Sequence, residues 1–131
     1  MKNLYSLFLV IILITSCSED SEFKNPNAVH IRVENSSGAD FKDILISSGS
    51  GAVEFGDLKA GKKSNFKEVE SAFRYGFVSL MADGKEVRFQ PYDYVGETPL
   101  SKGYYTYKLN LDTSDPDSSY LTLELLIVNQ D

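Results

Sequence analysis

The sequence predicts an all-β domain over residues 28–131, a single antiparallel β-sandwich of about seven or eight short strands. Three observations carry this. Apolar and polar residues alternate with a period of two from Ala28 onward. Turn-forming clusters interrupt the alternation at short intervals. Asp83-Gly84 stands between two alternating runs, the strongest short-range hairpin signal.

The elements follow in chain order. Val29, Ile31 and Val33 alternate with His30, Arg32 and Glu34, and the run stops at Asn35-Ser36-Ser37-Gly38. Ile44 and Ile46 continue in a second strand, closed by Ser48-Gly49-Ser50-Gly51. Phe66, Val69 and Phe73 fit a short helix as well as a strand, so residues 64–75 stay open between the two, with a strand and an irregular crossover as the preferred expectation. Val78, Leu80 and Ala82 lead into Asp83-Gly84, and Val87 and Phe89 return. Tyr105, Tyr107, Leu109 and Leu111 alternate with Thr106, Lys108 and Asn110, and Leu121, Leu123, Leu125 and Ile127 form the last strand.

Ahead of this domain lies a different kind of sequence. Lys2 is followed by an apolar run, Leu4 to Ile14, broken only by Ser6, and then by Thr15-Ser16-Cys17. That is the anatomy of a signal peptide over residues 1–16. The run reaches roughly 16 Å as a helix, about half of a hydrocarbon core, and is too short to span one. Ile14-Thr15-Ser16-Cys17 resembles a bacterial lipobox, which implies that Cys17 is diacylated and heads the mature chain. Residues 17–27 then read as a lipidated cysteine and an acidic, flexible tether. Ser18, Glu19, Asp20 and Glu22 are similar to the acidic export signal of Bacteroidota surface lipoproteins. The resemblance implies a lipid-anchored protein of the outer membrane, exposed at the cell surface. Two or three acyl chains hold durably where one holds marginally.

Leu58-Lys59-Ala60-Gly61 and Leu100-Ser101-Lys102-Gly103 each place a leucine three residues before a glycine expected to open a strand. Leu100-x-x-Gly103-x-Tyr105-x-Tyr107 resembles the turn-and-strand opening of extracellular immunoglobulin-like and prealbumin-like bacterial modules. It implies a fold and carries no catalytic group.

Charge and composition narrow the functional classes. The net charge is −6, from 13 basic and 19 acidic residues. No basic cluster offers a footprint for phosphates, so no nucleic-acid partner is expected, and the acidic surface leaves membrane attachment to the lipid on Cys17. His30 is the only histidine and Cys17 the only cysteine. A Cys/His metal site and a Cys–His nucleophile are therefore not expected, and His30 reads as a solvent-facing residue on its strand. No enzyme activity and no cofactor are expected.

Two segments remain as candidate sites. "FQPYDYVGE" puts Tyr92, Asp93 and Tyr94 after the strand-breaking Pro91, and with Tyr104 these are the candidate binding residues. "LDTSDPDSS" holds Asp112, Asp115 and Asp117, weak calcium candidates that an ordinary loop explains as well. The expected work is non-catalytic: binding a protein partner, or serving as an accessory subunit of an envelope complex. The alternatives are a glycan-binding module and a lipoprotein inhibitor or immunity factor.

Overall fold

The computed structural model describes residues 27–91, 98–115 and 117–128. Eight strands build the domain: β1 Val29–Asn35, β2 Phe41–Ser47, β3 Ala52–Leu58, β4 Lys67–Val69, β5 Phe77–Ala82, β6 Lys85–Phe89, β7 Gly103–Asp115 and β8 Ser118–Ile127. They form two four-stranded sheets, ordered β4-β1-β7-β8 and β3-β2-β5-β6. Every neighbouring pair is antiparallel except β1 with β7, which run parallel from Val29–Gly103 to Asn35–Leu109.

The alternation read from the sequence sorts residues onto the two faces as expected. Val29, Ile31 and Val33 of β1 meet Ile44, Ile46, Val78 and Leu80 of the other sheet in a single apolar core, with Tyr107 and Leu109 between them. The Asp83-Gly84 turn has both residues at positive φ (51° and 75°), the mirror-image turn whose twist suits a two-residue hairpin. Residues 64–75 form no helix. The three-residue β4 is followed by an irregular crossover, because Phe66 turns outward while Val69 packs on the core.

Three features depart from the sequence reading. β3 carries a period-two signal, Val53 and Phe55 half-buried between exposed Ala52 and Glu54, that is cut short by Gly56 at φ 69°. Opposite it, β2 bulges at Asp43 (φ 52°), whose N–H donates to the Asp57 carboxylate at 3.1 Å. Gly61 (φ 77°) opens no strand. Its N–H donates to the Asn35 carbonyl at 2.8 Å, and it turns the chain ahead of β4.

Asn35 shows why the first turn holds. Its amide is fully buried, donating to the carbonyls of Ala39 (2.7 Å) and Leu58 (3.0 Å) and accepting from the Ser37 N–H (3.0 Å) and hydroxyl (2.7 Å). Every polar atom of the side chain is used, so the buried amide costs little while it pins the β1–β2 turn to the end of β3. Replacing Asn35 with Ala removes the buried donor to the Leu58 carbonyl, while the Ala39 carbonyl keeps the Ser37 hydroxyl; we predict a loss of about 2 kcal/mol in urea unfolding, and a change below about 1 kcal/mol would show that the turn holds without the amide.

Candidate functional site

The sequence candidates part company in the structure. Cys17, Ser18, Glu19, Asp20 and Glu22 lie outside the described residues, and so do Tyr92, Asp93 and Tyr94. Tyr104 is no open binding residue: it is 3 % exposed. Nor is His30 solvent-facing, at 7 % exposed. The parallel register of β1 and β7 sets the two side by side, and their rings stack with centroids 4.3 Å apart and planes 5° from parallel. Phe66 packs edge-on against Tyr104 at 5.2 Å, and the Arg32 guanidinium lies 4.5 Å over the Phe66 ring while its Nε donates to Thr106 Oγ1 at 2.9 Å. The face of the sheet turned away from the core thus carries its own small aromatic cluster, because the segment entering β4 lays Phe66 across it.

The acidic segment is not a long loop: Asp112 and Asp115 belong to the end of β7, paired with Tyr120 and Ser118 of β8, and their carboxylates are occupied with nearby backbone. Asp112 Oδ1 accepts the Ser114 N–H at 2.9 Å. Asp115 Oδ1 accepts the Asp117 N–H at 2.9 Å, and its Oδ2 accepts the Ser118 hydroxyl at 3.0 Å. The Ser114 N–H holds the Asp112 carboxyl below the usual carboxylate range, and the Asp117 N–H does the same for Asp115. Among the described residues no group of three or more His, Cys, Asp or Glu side chains could hold a metal ion. The Asp112 and Asp115 carboxylates hold the local backbone, and Asp117 joins them through its N–H.

A site the sequence did not show lies where the two sheets meet at the β6–β8 side. A cleft of about 680 Å³ is lined by Tyr75, Arg88, Phe89, Gln90, Pro91, Ser119, Tyr120 and Leu121. That volume falls in the range of small-ligand sites. Three separate segments supply it, which is why no local pattern announces it. Tyr120 is 61 % exposed and Tyr75 38 % exposed, and among the described residues only Ile127, on its own at the end of β8, is another exposed large apolar side chain. Arg88 carries the one formal charge of the lining, and the Glu86 carboxylate accepts from both its Nε (2.8 Å) and its second nitrogen (2.7 Å). The same contact holds the Glu86 carboxyl below its ordinary range. Pro91, the breaker singled out in the sequence, forms part of the wall.

Tyr75 is placed from inside the core. Tyr107 is fully buried, and its hydroxyl donates to the Phe73 carbonyl and stands 3.1 Å from Ser48 Oγ. Ser48 in turn accepts the Phe73 N–H and donates to the Tyr75 carbonyl, each at 2.9 Å. This knot ties β7, the end of β2 and the crossover together just before Tyr75. Nearby, Gly49 (φ 71°) passes so close to the crossover that an added Cβ would sit 2.5 Å from the Ser71 carbonyl oxygen. At the start of β7 the Tyr105 hydroxyl donates to the Ser101 carbonyl at 2.7 Å, with Gly103 beneath the ring. That is the corner in which a tyrosine bonds backbone just upstream, and it explains the Leu100-x-x-Gly103-x-Tyr105 spacing.

Fold and cleft together define the class: an eight-stranded, two-sheet β-sandwich domain with an aromatic cleft at one margin. The chain belongs to the DUF8725 family, a domain of unknown function, which it matches over residues 18–123. Among solved structures it is similar to one described as the NMR structure of the protein from Eubacterium rectale, with a TM-score of 0.54 and 14 % identity over 74 % of this chain and 88 % of that one. That likeness is one of fold. No curated protein matches the chain.

Two outcomes test the placement of these side chains. Tyr104→Ala should cost about 3–5 kcal/mol of stability, as truncation of a buried aromatic does, whereas Tyr120→Ala should stay within about 0.5 kcal/mol. Equal costs would mean that the two rings are not divided between interior and cleft. Carboxyl titration by NMR should give Asp115 a midpoint below that of the unfolded chain. Its folded-state pKa is depressed, so its contribution is complete above the unfolded value and is lost as pH falls through the folded one. A midpoint at or above the unfolded value would show that the Asp117 turn does not hold the carboxylate.

Proposed function

We propose that this chain is a lipid-anchored envelope protein of the outer membrane, displayed at the cell surface, whose sandwich works without catalysis by binding a protein partner or serving as an accessory subunit of an envelope complex. The observation that carries the reading is the cleft with its two exposed tyrosines, Tyr75 and Tyr120. Tyrosine at a concave surface combines a flat apolar ring with a polar tip and loses little rotamer freedom on contact.

The lay of the chain supports an anchored display. The Gly103 N–H donates to the Ala28 carbonyl, so the tether of residues 17–27 joins the domain beside the start of β7. Tyr120 pairs with Asp112, roughly 30 Å along β7 from that point at about 3.3 Å per residue. A partner at Tyr120 is thus held away from the surface to which Cys17 would fix the chain. Among the described residues no helix is long and apolar enough to cross a membrane. The single histidine is stacked and buried, which leaves its imidazole poorly placed for acid–base chemistry.

Of the two resemblances the sequence carries, the strand order favours the prealbumin-like one. In the constant-type immunoglobulin order the first strand pairs with the second, whereas here β1 lies between β4 and β7.

A glycan is the second reading, favoured by a lining whose one charge is already held by Glu86. Cross-linking on intact cells should capture a protein partner with the wild type and lose it with Tyr120→Ala, a substitution that leaves the fold intact. Capture that is indifferent to Tyr120, or binding of neutral oligosaccharides in place of any protein, overturns the leading reading. For the anchor, Cys17→Ala should abolish acyl labelling and release the protein from membranes. Membrane partitioning equal to that of the wild type would refute it.

A further inference from the structure

The cleft is bounded by backbone as well as by rings. Among the described residues β6 pairs only with β5, and β8 only with β7, so each is the last strand of its sheet. The two-residue turn makes Ala82–Lys85 the closing hydrogen-bonded pair, and bonded pairs then recur at Leu80–Val87 and Val78–Phe89. The N–H and C=O groups of Glu86 and Arg88 therefore point away from β5, out of the sheet edge, and Gln90 continues the series. On β8, the Val128 N–H donates to the Tyr104 carbonyl at 2.9 Å. This sets the alternation along the ladder, making Asp112–Tyr120 and Asn110–Thr122 bonded pairs and turning the peptide groups of Leu121 to the free edge. Arg88, Gln90 and Leu121 all line the cleft. Outward-facing peptide groups inside an aromatic groove are a template for an added strand.

The groove has a second part of opposite character. A smaller concavity of about 190 Å³ shares Ser119 with the cleft and is lined by Asp83, Lys85, Glu86 and Asp117, among others. Glu86 is occupied with Arg88, which leaves Asp83 and Asp117 facing a single lysine on a chain whose net charge is −6. The strand edge thus runs from an acidic end, near the Asp83-Gly84 turn, to a tyrosine end at Gln90. Glu86 and Gln90 are roughly 13 Å apart along it.

We propose that this groove takes an extended peptide segment that adds as a strand to the edge of β6. The segment sets a lysine or arginine against Asp83 and Asp117, and an apolar or aromatic residue between Tyr75 and Tyr120, about four residues away. Main-chain hydrogen bonds supply the affinity and the two ends of the groove supply the specificity. The inference rests on reading the cleft as a protein contact and adds the conformation and chemistry of what is bound.

The test uses the purified full chain and an array of peptides of about ten residues, in which the spacing between a cationic and an aromatic residue is varied. All-acidic and backbone N-methylated versions serve as comparisons, and neutral oligosaccharides form a separate arm. Peptides with the spacing near four should bind best. N-methylation on alternate residues should weaken them about tenfold or more, Tyr120→Ala should do the same, and Asp117→Asn should reduce the preference for the cationic residue. Undiminished binding of the N-methylated peptides overturns strand addition. Preference for acidic peptides overturns the assigned polarity. Binding of oligosaccharides but no peptide overturns both this inference and the protein-partner reading. If no peptide binds while capture on cells still depends on Tyr120, the strand-addition inference falls and the broader reading stands.

Discussion

The hydroxyl of Tyr107 is the contact on which the rest of the arrangement depends. A tyrosine in the middle of a sandwich core must find a partner for its oxygen, and the two apolar sheet faces supply none. The crossover between β4 and β5 supplies it instead, by folding the Phe73 carbonyl inward to meet the ring and the Ser48 hydroxyl. The segment has no regular structure of its own, yet it is fixed at both backbone groups of Phe73 and at the Tyr75 carbonyl. A net hydrogen bond contributes only about 1 kcal/mol, but a buried hydroxyl left unmet costs more than that. The ring of Tyr75 reaches the cleft because the residues just before it are held from within.

Much of the fold was legible because burial of a sheet face imposes a period of two on side chains. Val29 to Val33, Val78 to Ala82 and Tyr105 to Leu111 show it, and the turn chemistry of Asp83-Gly84 set one hairpin outright. What alternation cannot show is which strands are neighbours. The parallel pairing of β1 with β7 joins segments far apart in sequence, and with it came the stack of His30 on Tyr104. His30 follows the outward pattern of its strand and points outward as expected. It is nonetheless buried, because outward does not mean exposed once Phe66 and Tyr104 crowd the same face. The cleft escaped for the same reason: Tyr75, Phe89 and Tyr120 belong to three segments and only the tertiary fold brings them together.

The sandwich treats its margins unequally. On the β3–β4 side the edges are closed. β4 is three residues long, β3 is kinked by Gly56, and the Lys67 ammonium donates to the Glu54 carbonyl at 2.7 Å while lying 5.6 Å from the Phe55 ring centroid. Short strands, bulges and lysines are the usual means of keeping an edge from pairing with other chains. On the β6–β8 side β6 is also short and charged, with Lys85, Glu86 and Arg88 among its five residues, and what sets that margin apart is the pair of exposed tyrosines, Tyr75 and Tyr120. The two margins thus differ less in strand length and charge than in exposed ring surface.

The position of β1 also has a mechanical meaning. The first strand of the domain is interior to its sheet, held by seven registered positions on β7 and three on β4. Tension between the chain ahead of Ala28 and a load at Tyr120 runs lengthwise along these ladders, so their hydrogen bonds bear it together instead of parting one after another. Strands pulled lengthwise part in shear, and the ten registered positions of β1 share that load.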